Sequence, residues 1–260
     1  MSAPIPSVDV RVDDGWATLT ISNPSQRNAL TPAMLADLRQ AVEDLSGAGV
    51  RVIVLRGAGG TFSSGFALDR VPAPDDLPDV DDIEHLCRAI EAAPLVVVAV
   101  IEGTCVGAAL DLACACDLRF AVESARLGIT PARLGLVYSL HGTRRIERVT
   151  GRDGARRLFY SGDLVLAGSD VGRRLVSHVA PDTDALALAV HAFVSRVAAN
   201  SPGSVAGAKR IFHALDASAP VSDDVAAALH RSRQAALASA DCAEALAAFR
   251  ERRAPRFTGP

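Results

Sequence analysis

The sequence predicts an α/β fold built around a buried parallel sheet. Residues 52–55 and 95–101 are continuous apolar runs rich in branched side chains, which is typical of strands covered on both faces. Each run is followed by glycine-containing sequence and then by a candidate helix. This repeated unit of strands and helix favours a spiral or layered arrangement over a β-sandwich.

The amino-terminal segment predicts two strands and then a helix. Val8, Val10 and Val12 alternate with polar residues, and an Asp-Asp-Gly turn at 13–15 separates them from a second alternating stretch. Thr31 and Pro32 suit the N-cap and the first position of a helix, and apolar residues recur at helical spacing after them.

The carboxy-terminal part of the chain predicts helices. Four Ala-rich amphipathic stretches follow residue 182, at 185–199, 204–215, 222–239 and 242–252. Such a tail is suited to packing or oligomerisation. Earlier in the chain, residues 72–82 are rich in proline and aspartate and predict a surface loop.

Composition excludes several classes of function. The chain has 260 residues, a formal net charge of −3 and a pI near 6.1, so no whole-protein attraction to nucleic acid or to an anionic membrane is expected. The longest apolar run, at 95–101, is too short for a bilayer, which needs about 20 residues. Cys114 and Cys116 lack further ligands at metal-site spacing, so we expect buried thiols and no metal. These features predict a soluble, cytoplasmic protein.

Two glycine-containing segments form the candidate site. In the first, residues 57–66 follow a buried strand, and their small side chains let the backbone approach a ligand. The second runs through Gly107 into an apolar helix, whose first N–H groups lack internal partners and suit a ligand oxygen that gains negative charge. Asp111 lies one turn beyond Ala108, where a carboxylate is costly to bury. Asp111 is therefore either an acid–base group or a structural hydrogen-bonding residue.

Together, these segments resemble the crotonase (enoyl-CoA hydratase/isomerase) superfamily. The resemblance is carried by Gly-x-x-Phe-Ser-Ser-Gly-x-x-Leu at 59–68 and by Gly-x-x-x-Gly-Ala-Ala-Leu-Asp-Leu-Ala-x-x-Cys-Asp at 103–117. Further matches, in the family's order, are Asn23-Pro24, Asn28-Ala29-Leu30, Pro94, residues 127–136 and the closing stretch 252–259. The resemblance therefore covers nearly the whole chain.

This resemblance implies a fold, a substrate and an assembly. The fold would be a crotonase-like spiral of repeated ββα units at 1–195, followed by a C-terminal helical trimerisation region at 196–260. The protein would be a homotrimer or a dimer of trimers. The substrate would be an acyl-CoA thioester, with coenzyme A as part of the substrate and no separate cofactor.

The resemblance also implies site residues. The thioester oxygen would accept the backbone N–H groups of Phe66 and Ala108. The terminal Arg256 and Phe257 would reach coenzyme A bound to a neighbouring subunit. The remaining substrate-binding positions would be Ser25, Gln26, Arg27, Ser64, Leu68, Gly107, Pro131 and Ser139.

The sequence departs from the hydratase pattern at both catalytic positions. Asp111 stands at the first glutamate position, and Pro131, which cannot carry a proton, stands at the second. Hydration needs two carboxylates, so these replacements are less compatible with hydration than with isomerisation, for which one carboxylate suffices. We expect an enzyme of the enoyl-CoA hydratase/isomerase type with Asp111 as its acid or base. His141 is a further candidate, or else a loop residue that caps a helix near Thr143.

Two alternatives stay open. The Thr130-Pro131 and Tyr138 pattern is similar to that of methylmalonyl-CoA decarboxylases, in which Thr130 and Tyr138 would hold the carboxylate or supply a proton. Tyr138 as a plain pocket wall fits equally well. Loss of both glutamates and the bulky Phe66 also fit a non-catalytic acyl-CoA-binding protein. Six arginines are expected on solvated helix faces, with contact to the phosphates of coenzyme A as the lesser alternative: Arg144, Arg145, Arg148, Arg152, Arg156 and Arg157.

Overall fold

The computed structural model describes residues 5–13, 15–67, 82–134 and 137–216, together with single positions between 224 and 258. Leu68, Phe257, nearly all of the predicted loop at 72–82 and nearly all of the last two predicted helices lie outside the described residues. The strands are β1 (Ser7–Val12), β2 (Trp16–Ser22), β3 (Val52–Gly57), β4 (Val96–Ile101), β5 (Thr104–Val106), β6 (Leu118–Val122), β7 (Arg126–Gly128), β8 (Val165–Leu166) and β9 (His178–Ala180). The helices are α1 (Pro32–Ser46), α2 (Asp82–Ala92), α3 (Ala108–Ala115), α4 (Leu140–Thr150), α5 (Arg152–Ser161), α6 (Gly172–Leu175), α7 (Thr183–Ala198) and α8 (Pro202–Asp216).

Six strands form the main sheet, in the order β1-β2-β3-β4-β6-β9. β1 runs antiparallel to β2, and all other neighbouring strands are parallel. The two predicted buried runs are β3 and β4, which lie side by side with Val52 opposite Val96. Their side chains are buried apart from Arg56 and, in part, Val96, which confirms the expected parallel sheet covered on both faces.

The first helix begins where the sequence predicts. Thr31 is the N-cap of α1, and its Oγ1 accepts the N–H of Met34 at 3.3 Å. The recurring apolar residues of α1 face the sheet and are buried: Met34, Leu35, Leu38, Val42 and Leu45. This burial joins α1 to the hydrophobic core.

The chain repeats a unit of two strands and one helix. In β4–β5–α3 and again in β6–β7–α4, the first strand enters the main sheet and the second enters a small sheet ordered β5-β7-β8. An isolated bridge between Ser63 and Cys105 extends this small sheet to the segment that follows β3. The repeat agrees with the predicted spiral of ββα units.

The first two predicted C-terminal helices are confirmed as α7 and α8. The predicted division after residue 195 falls inside α7, and α8 packs on the core through Lys209. The buried Lys209 Nζ donates to the carbonyls of Ile90 and Leu95 at 2.9 Å each and pairs with Asp117 at 2.8 Å. The division and trimerisation stay predictions. Among the residues described, no helix has the length and apolar character needed to cross a bilayer.

Candidate active site

The two glycine-containing segments lie side by side. Ser63 pairs with Cys105, with the Ser63 N–H donating to Thr104 O at 2.9 Å and the Val106 N–H donating to Ser63 O at 3.3 Å. Three residues beyond this pair, each segment reaches one of the predicted oxyanion positions, Phe66 and Ala108. The approach requires a glycine, because a Cβ on Gly65 would lie 2.6 Å from Val106 O and 3.5 Å from Ala108 N, and Gly65 has a φ of +98°.

The N–H groups of Phe66 and Ala108 have no acceptor among the described residues. Gly107 is the N-cap of α3, and its own N–H donates to Gly128 O at 2.9 Å, so Ala108 provides the first unsatisfied N–H of the helix. The positive end of the α3 dipole adds to the field at this point. Two such donors can stabilise an oxygen that becomes negatively charged.

Four of the residues predicted to line the coenzyme A path lie next to one another in the structure: Ser25, Gln26, Arg27 and Ser64. Pro24–Gln26 form a 3-10 turn, and Arg27 follows in the left-handed region with a φ of 51°. Ser64 closes on this turn, since its Oγ donates to Gln26 O at 2.9 Å and its N–H donates to Arg27 O at 3.0 Å. The side chains of Ser25, Gln26 and Arg27 are exposed. Their role in binding stays a prediction.

Asp111 lies on α3 with both carboxylate oxygens engaged. It is 1% exposed, and its Oδ1 accepts from Arg145 Nη1 at 2.7 Å while its Oδ2 accepts from the Tyr138 hydroxyl at 3.1 Å. Burial raises the pKa of Asp111 above its ordinary value, whereas the Arg145 charge and the two hydrogen bonds act to lower it. Sequence analysis therefore found Asp111 and Tyr138, and the structure joins them as a pair.

The structure after Tyr138 contradicts the expectation that His141 is a loop residue that caps a helix. α4 begins at Leu140 with Ser139 as its N-cap, whose Oγ accepts the Gly142 N–H at 3.1 Å. His141 is thus inside the first turn, and the alternative that it caps a helix near Thr143 is wrong. The His141 ring is half exposed and points toward α2, where its Nε2 lies 3.3 Å from Arg88.

A second correction concerns the arginine run. Five of the six arginines are exposed as expected, but Arg145 is buried and bonds Asp111 together with Glu84 and Glu91. Sequence analysis missed Arg145, both glutamates and Gly142. A signal for Arg145 was available, because it precedes the buried Ile146 and lies three residues after Gly142, on the apolar face of α4.

Thr130 and Pro131 lie just beyond β7. Pro131 is buried and opens a 3-10 turn, whereas Thr130 is partly buried and its carbonyl accepts the Arg133 N–H at 3.0 Å. Within the described residues, no hydrogen bond links the Thr130 side chain to Tyr138 or Asp111. Cys114 and Cys116 are buried as predicted, and burial raises the pKa of Cys114 to about 11 and that of Cys116 to about 12.

Comparison with known proteins places this chain in a family. The sequence profile described as enoyl-CoA hydratase/isomerase matches residues 11–260. A putative enoyl-CoA hydratase of Thermus thermophilus is 34% identical over 262 residues, covering 95% of this chain and 100% of the relative. The methylmalonyl-CoA decarboxylase of Escherichia coli is 26% identical over 236 residues, covering 89% of this chain and 90% of the relative.

A solved structure extends the match to three dimensions. The crystal structure of an enoyl-CoA hydratase/isomerase family member aligns with a TM-score of 0.89 at 29% identity, covering 99% of this chain and 98% of the other. The predicted crotonase-like fold is thereby confirmed. The chain therefore belongs to the enoyl-CoA hydratase/isomerase family of the crotonase superfamily, as an acyl-CoA-processing enzyme.

Proposed function

We propose that the protein isomerises the double bond of an enoyl-CoA thioester through an enolate, with Asp111 and Tyr138 as one proton-transfer pair. Coenzyme A enters as part of the substrate, and no separate cofactor takes part. The observation that carries the proposal is the contact of 3.1 Å between Tyr138 Oη and Asp111 Oδ2, one helical turn beyond the Ala108 N–H. A single acid–base group beside an oxyanion site suits a proton shift between two carbons.

The enolate would be held by backbone N–H groups. Phe66 and Ala108 each follow three residues after the Ser63–Cys105 bridge, on adjacent segments of the chain, and neither N–H has an acceptor among the described residues, which supports a shared acceptor. Removing one donor of such a site typically lowers the rate by about 10²–10³. The donors belong to the backbone, so side-chain substitution leaves them in place.

The proton would travel through Asp111. Its ionised Oδ2 takes the proton from the carbon beside the thioester carbonyl, and the electron pair moves into the enolate. The same proton then returns to the carbon two positions further along the acyl chain, which moves the double bond into conjugation; the reverse shift uses the same groups. Tyr138 donates to Oδ2 and orients the remaining lone pairs.

Hydration is less well supported by the same residues. Adding water across the double bond with two carboxylates needs a second acid–base side chain, and Pro131 stands where the family pattern has it. Two other acidic residues near Asp111, Glu84 and Glu91, are paired with arginines on the α2 side.

Decarboxylation is the second candidate, and the relative named methylmalonyl-CoA decarboxylase favours it. In that reaction Tyr138 would turn its hydroxyl from Asp111 to the substrate carboxylate. Carbon dioxide would leave, its bonding electron pair would form the enolate, and a proton would then add to the carbon. The buried Asp111 carboxylate would repel the substrate carboxylate, so the observed pairing supports isomerisation more strongly.

Mass spectrometry of the products separates these reactions. The purified protein is incubated with a 3-enoyl-CoA, its 2-enoyl isomer and methylmalonyl-CoA, in ordinary and in heavy water. We expect an isomer of unchanged mass, resolved from its substrate by chromatography, that carries little deuterium in heavy water because the proton removed from one carbon returns to the other. Gain of water would instead establish hydration, and loss of carbon dioxide would establish decarboxylation. Coenzyme A thioester binding without any product would establish a non-catalytic binding protein.

Two variants with matched controls test the proton-transfer pair. Asp111→Asn and Tyr138→Phe should each lower isomerisation, because one removes the base and the other the hydroxyl that orients it. Tyr160→Phe is the control for Tyr138, since the other tyrosine of the chain lies exposed on α5. Asp153→Asn, on an exposed position of α5, is the control for Asp111. Equal turnover in Asp111→Asn and Asp153→Asn would remove Asp111 from the mechanism.

A further inference from the structure

A buried cluster of one arginine and three acidic side chains, among them Asp111, links helices α2, α3 and α4. It consists of Arg145, Asp111, Glu84 and Glu91 and is called here the Arg145 cluster. Arg145 donates from Nη1 to Asp111 Oδ1 at 2.7 Å, from Nη2 to Glu84 Oε2 at 3.0 Å and from Nε to Glu91 Oε1 at 2.9 Å. The side chains of Arg145, Asp111 and Glu84 are 4%, 2% and 6% exposed.

The charges of this cluster are unbalanced at its centre. Three carboxylates surround one guanidinium, and further cations reach the cluster from its rim, with Arg88 on Glu84 at 2.7 Å and Arg148 on Glu91 at 3.0 Å. Burying charge costs free energy, and apolar side chains of similar volume would hold three helices together at least as well. The arrangement therefore calls for an explanation other than packing.

We infer that Arg145 is a positioning residue that holds Asp111 as a carboxylate with Oδ2 turned toward Tyr138. The negative charge of Glu84 has the opposite effect and favours the protonated form of Asp111. This inference rests on the proposed proton-transfer role of Asp111. Arg145 takes Oδ1 alone, because its other two nitrogens are directed to α2. Oδ2 is thereby left for Tyr138 and substrate. The planar guanidinium fixes these directions in a way that a lysine ammonium cannot.

The groups that face Asp111 act on it with opposite signs. From α2 come Glu84, Cys87 and Glu91, and from α4 and the residues before it come Arg145 and Tyr138. Burial is the largest influence and raises the pKa of Asp111, Arg145 and Tyr138 lower it, and Glu84 raises it. Burial also raises the pKa of Cys87 well above its ordinary value, so this thiol brings no charge near neutral pH. The negative charge of Glu91 is balanced by its ion pairs with Arg145 and Arg148.

The opposite signs give a test that a purely structural role would fail. The pH dependence of kcat/KM is measured for wild type, Arg145→Gln, Arg145→Lys, Glu84→Gln and Arg144→Gln. Arg144 is the matched control, because it is the exposed neighbour of Arg145 on the same helix. Loss of the Arg145 charge should move the acid limb of the profile to higher pH by about one unit, or about tenfold in rate on that limb. Arg145→Lys keeps a positive charge and should therefore show a smaller shift in the same direction than Arg145→Gln.

Glu84→Gln should move the acid limb the other way, to lower pH. This variant keeps Arg145 paired with Asp111 and Glu91, so it tests the inference even where Arg145→Gln does not fold. Arg144→Gln should leave the profile unchanged. The inference is overturned if Glu84→Gln leaves the acid limb in place or moves it to higher pH.

A measurement without turnover separates this inference from the proposed reaction. Infrared difference titration against Asp111→Asn reports the carboxyl stretch of Asp111 directly. We expect the protonated form to appear at higher pH in Arg145→Lys than in wild type and at lower pH in Glu84→Gln. This result with no enoyl-CoA turnover would reject the proposed reaction and retain the role of Arg145. Turnover that needs Asp111, together with unshifted titrations, would reject the role of Arg145 alone.

Discussion

Replacing Gly142 by alanine is expected to break the contact between Tyr138 and Asp111. A Cβ at position 142 would lie 2.4 Å from Tyr138 Cε1 and 2.5 Å from Asp111 Oδ2. Carbon atoms in contact sit about 3.5–4.0 Å apart, so the methyl group forces a displacement of about 1 Å on the tyrosine side alone. The hydrogen bond is already 3.1 Å long and fails near about 3.6 Å, which leaves less room than the methyl group requires.

The expected magnitude follows from these distances. Overpacking at a buried position costs about 1–3 kcal/mol of unfolding free energy. Misplacing a proton-transfer group by about 1 Å lowers turnover by about 10²-fold. The loss in kcat/KM should therefore exceed what the lower stability explains at temperatures where the variant is fully folded.

Urea unfolding and kcat/KM on the enoyl thioester that turns over would measure both effects. Gly203→Ala in α8 is the matched control, because a Cβ there meets nothing within 4 Å. A helical glycine of this kind should become about 0.5–1 kcal/mol more stable as alanine, with activity unchanged. If Gly142→Ala behaves like Gly203→Ala in both assays, the close approach of Tyr138 and Asp111 to Gly142 is wrong.

Three further substitutions probe the frame around the site. Lys209→Met should lower the unfolding free energy by about 3–5 kcal/mol in urea titration, because it leaves a carboxylate and two buried carbonyls without their cation; a loss below about 1 kcal/mol would contradict the pairing. Asn28→Ala should be about 1 kcal/mol less stable than Asn28→Gly, since both lose the same hydrogen bonds but position 28 has a φ of 58°; equal stability would refute the backbone argument. Burial acts to raise the pKa of Glu91, but Arg145 and Arg148 lower it below 4.5, so its stabilisation is present above that pH and is lost as pH falls through the lower folded value. Glu91→Gln should therefore flatten the dependence of Tm on pH below 4.5, and an unchanged slope would count against this pairing.

Several elements could be predicted because their signals are local. β3 and β4 are continuous apolar runs, and the α1 N-cap is set by Thr31 and Pro32 within one turn. The oxyanion positions Phe66 and Ala108 do not follow from local sequence: the family resemblance implied them, and their role stays a prediction. The family resemblance then supplied the pairing of these segments, which periodicity alone does not give.

The Arg145 cluster could not be predicted in the same way. Asp111 and Arg145 are 34 residues apart, and Glu84 and Arg145 are 61 apart, so each contact depends on how α2, α3 and α4 pack. Arg145 has the same side chain as its exposed neighbour Arg144, and composition does not separate them. The location of position 145 on the apolar face of α4 does distinguish Arg145 from Arg144. An arginine at such a position is nevertheless expected to be solvated unless buried carboxylates are known to face it.

Position 111 has an aspartate where the family pattern has a glutamate, and the shorter side chain makes the neighbouring residues important. An aspartate carboxylate sits one methylene closer to its own helix than that of a glutamate, and here it is further held by Arg145 toward α2 and α4. In the proposed reaction this carboxylate would therefore have a shorter reach, and Tyr138, half-buried and hydrogen-bonded to Oδ2, would supply a polar atom beyond it. Gly142 leaves the space in which these two side chains meet. Because Asp111 contacts both Tyr138 and Arg145 and lies against Gly142, we expect Asp111→Glu without changes at these three positions to lower activity rather than to recover the two-glutamate chemistry.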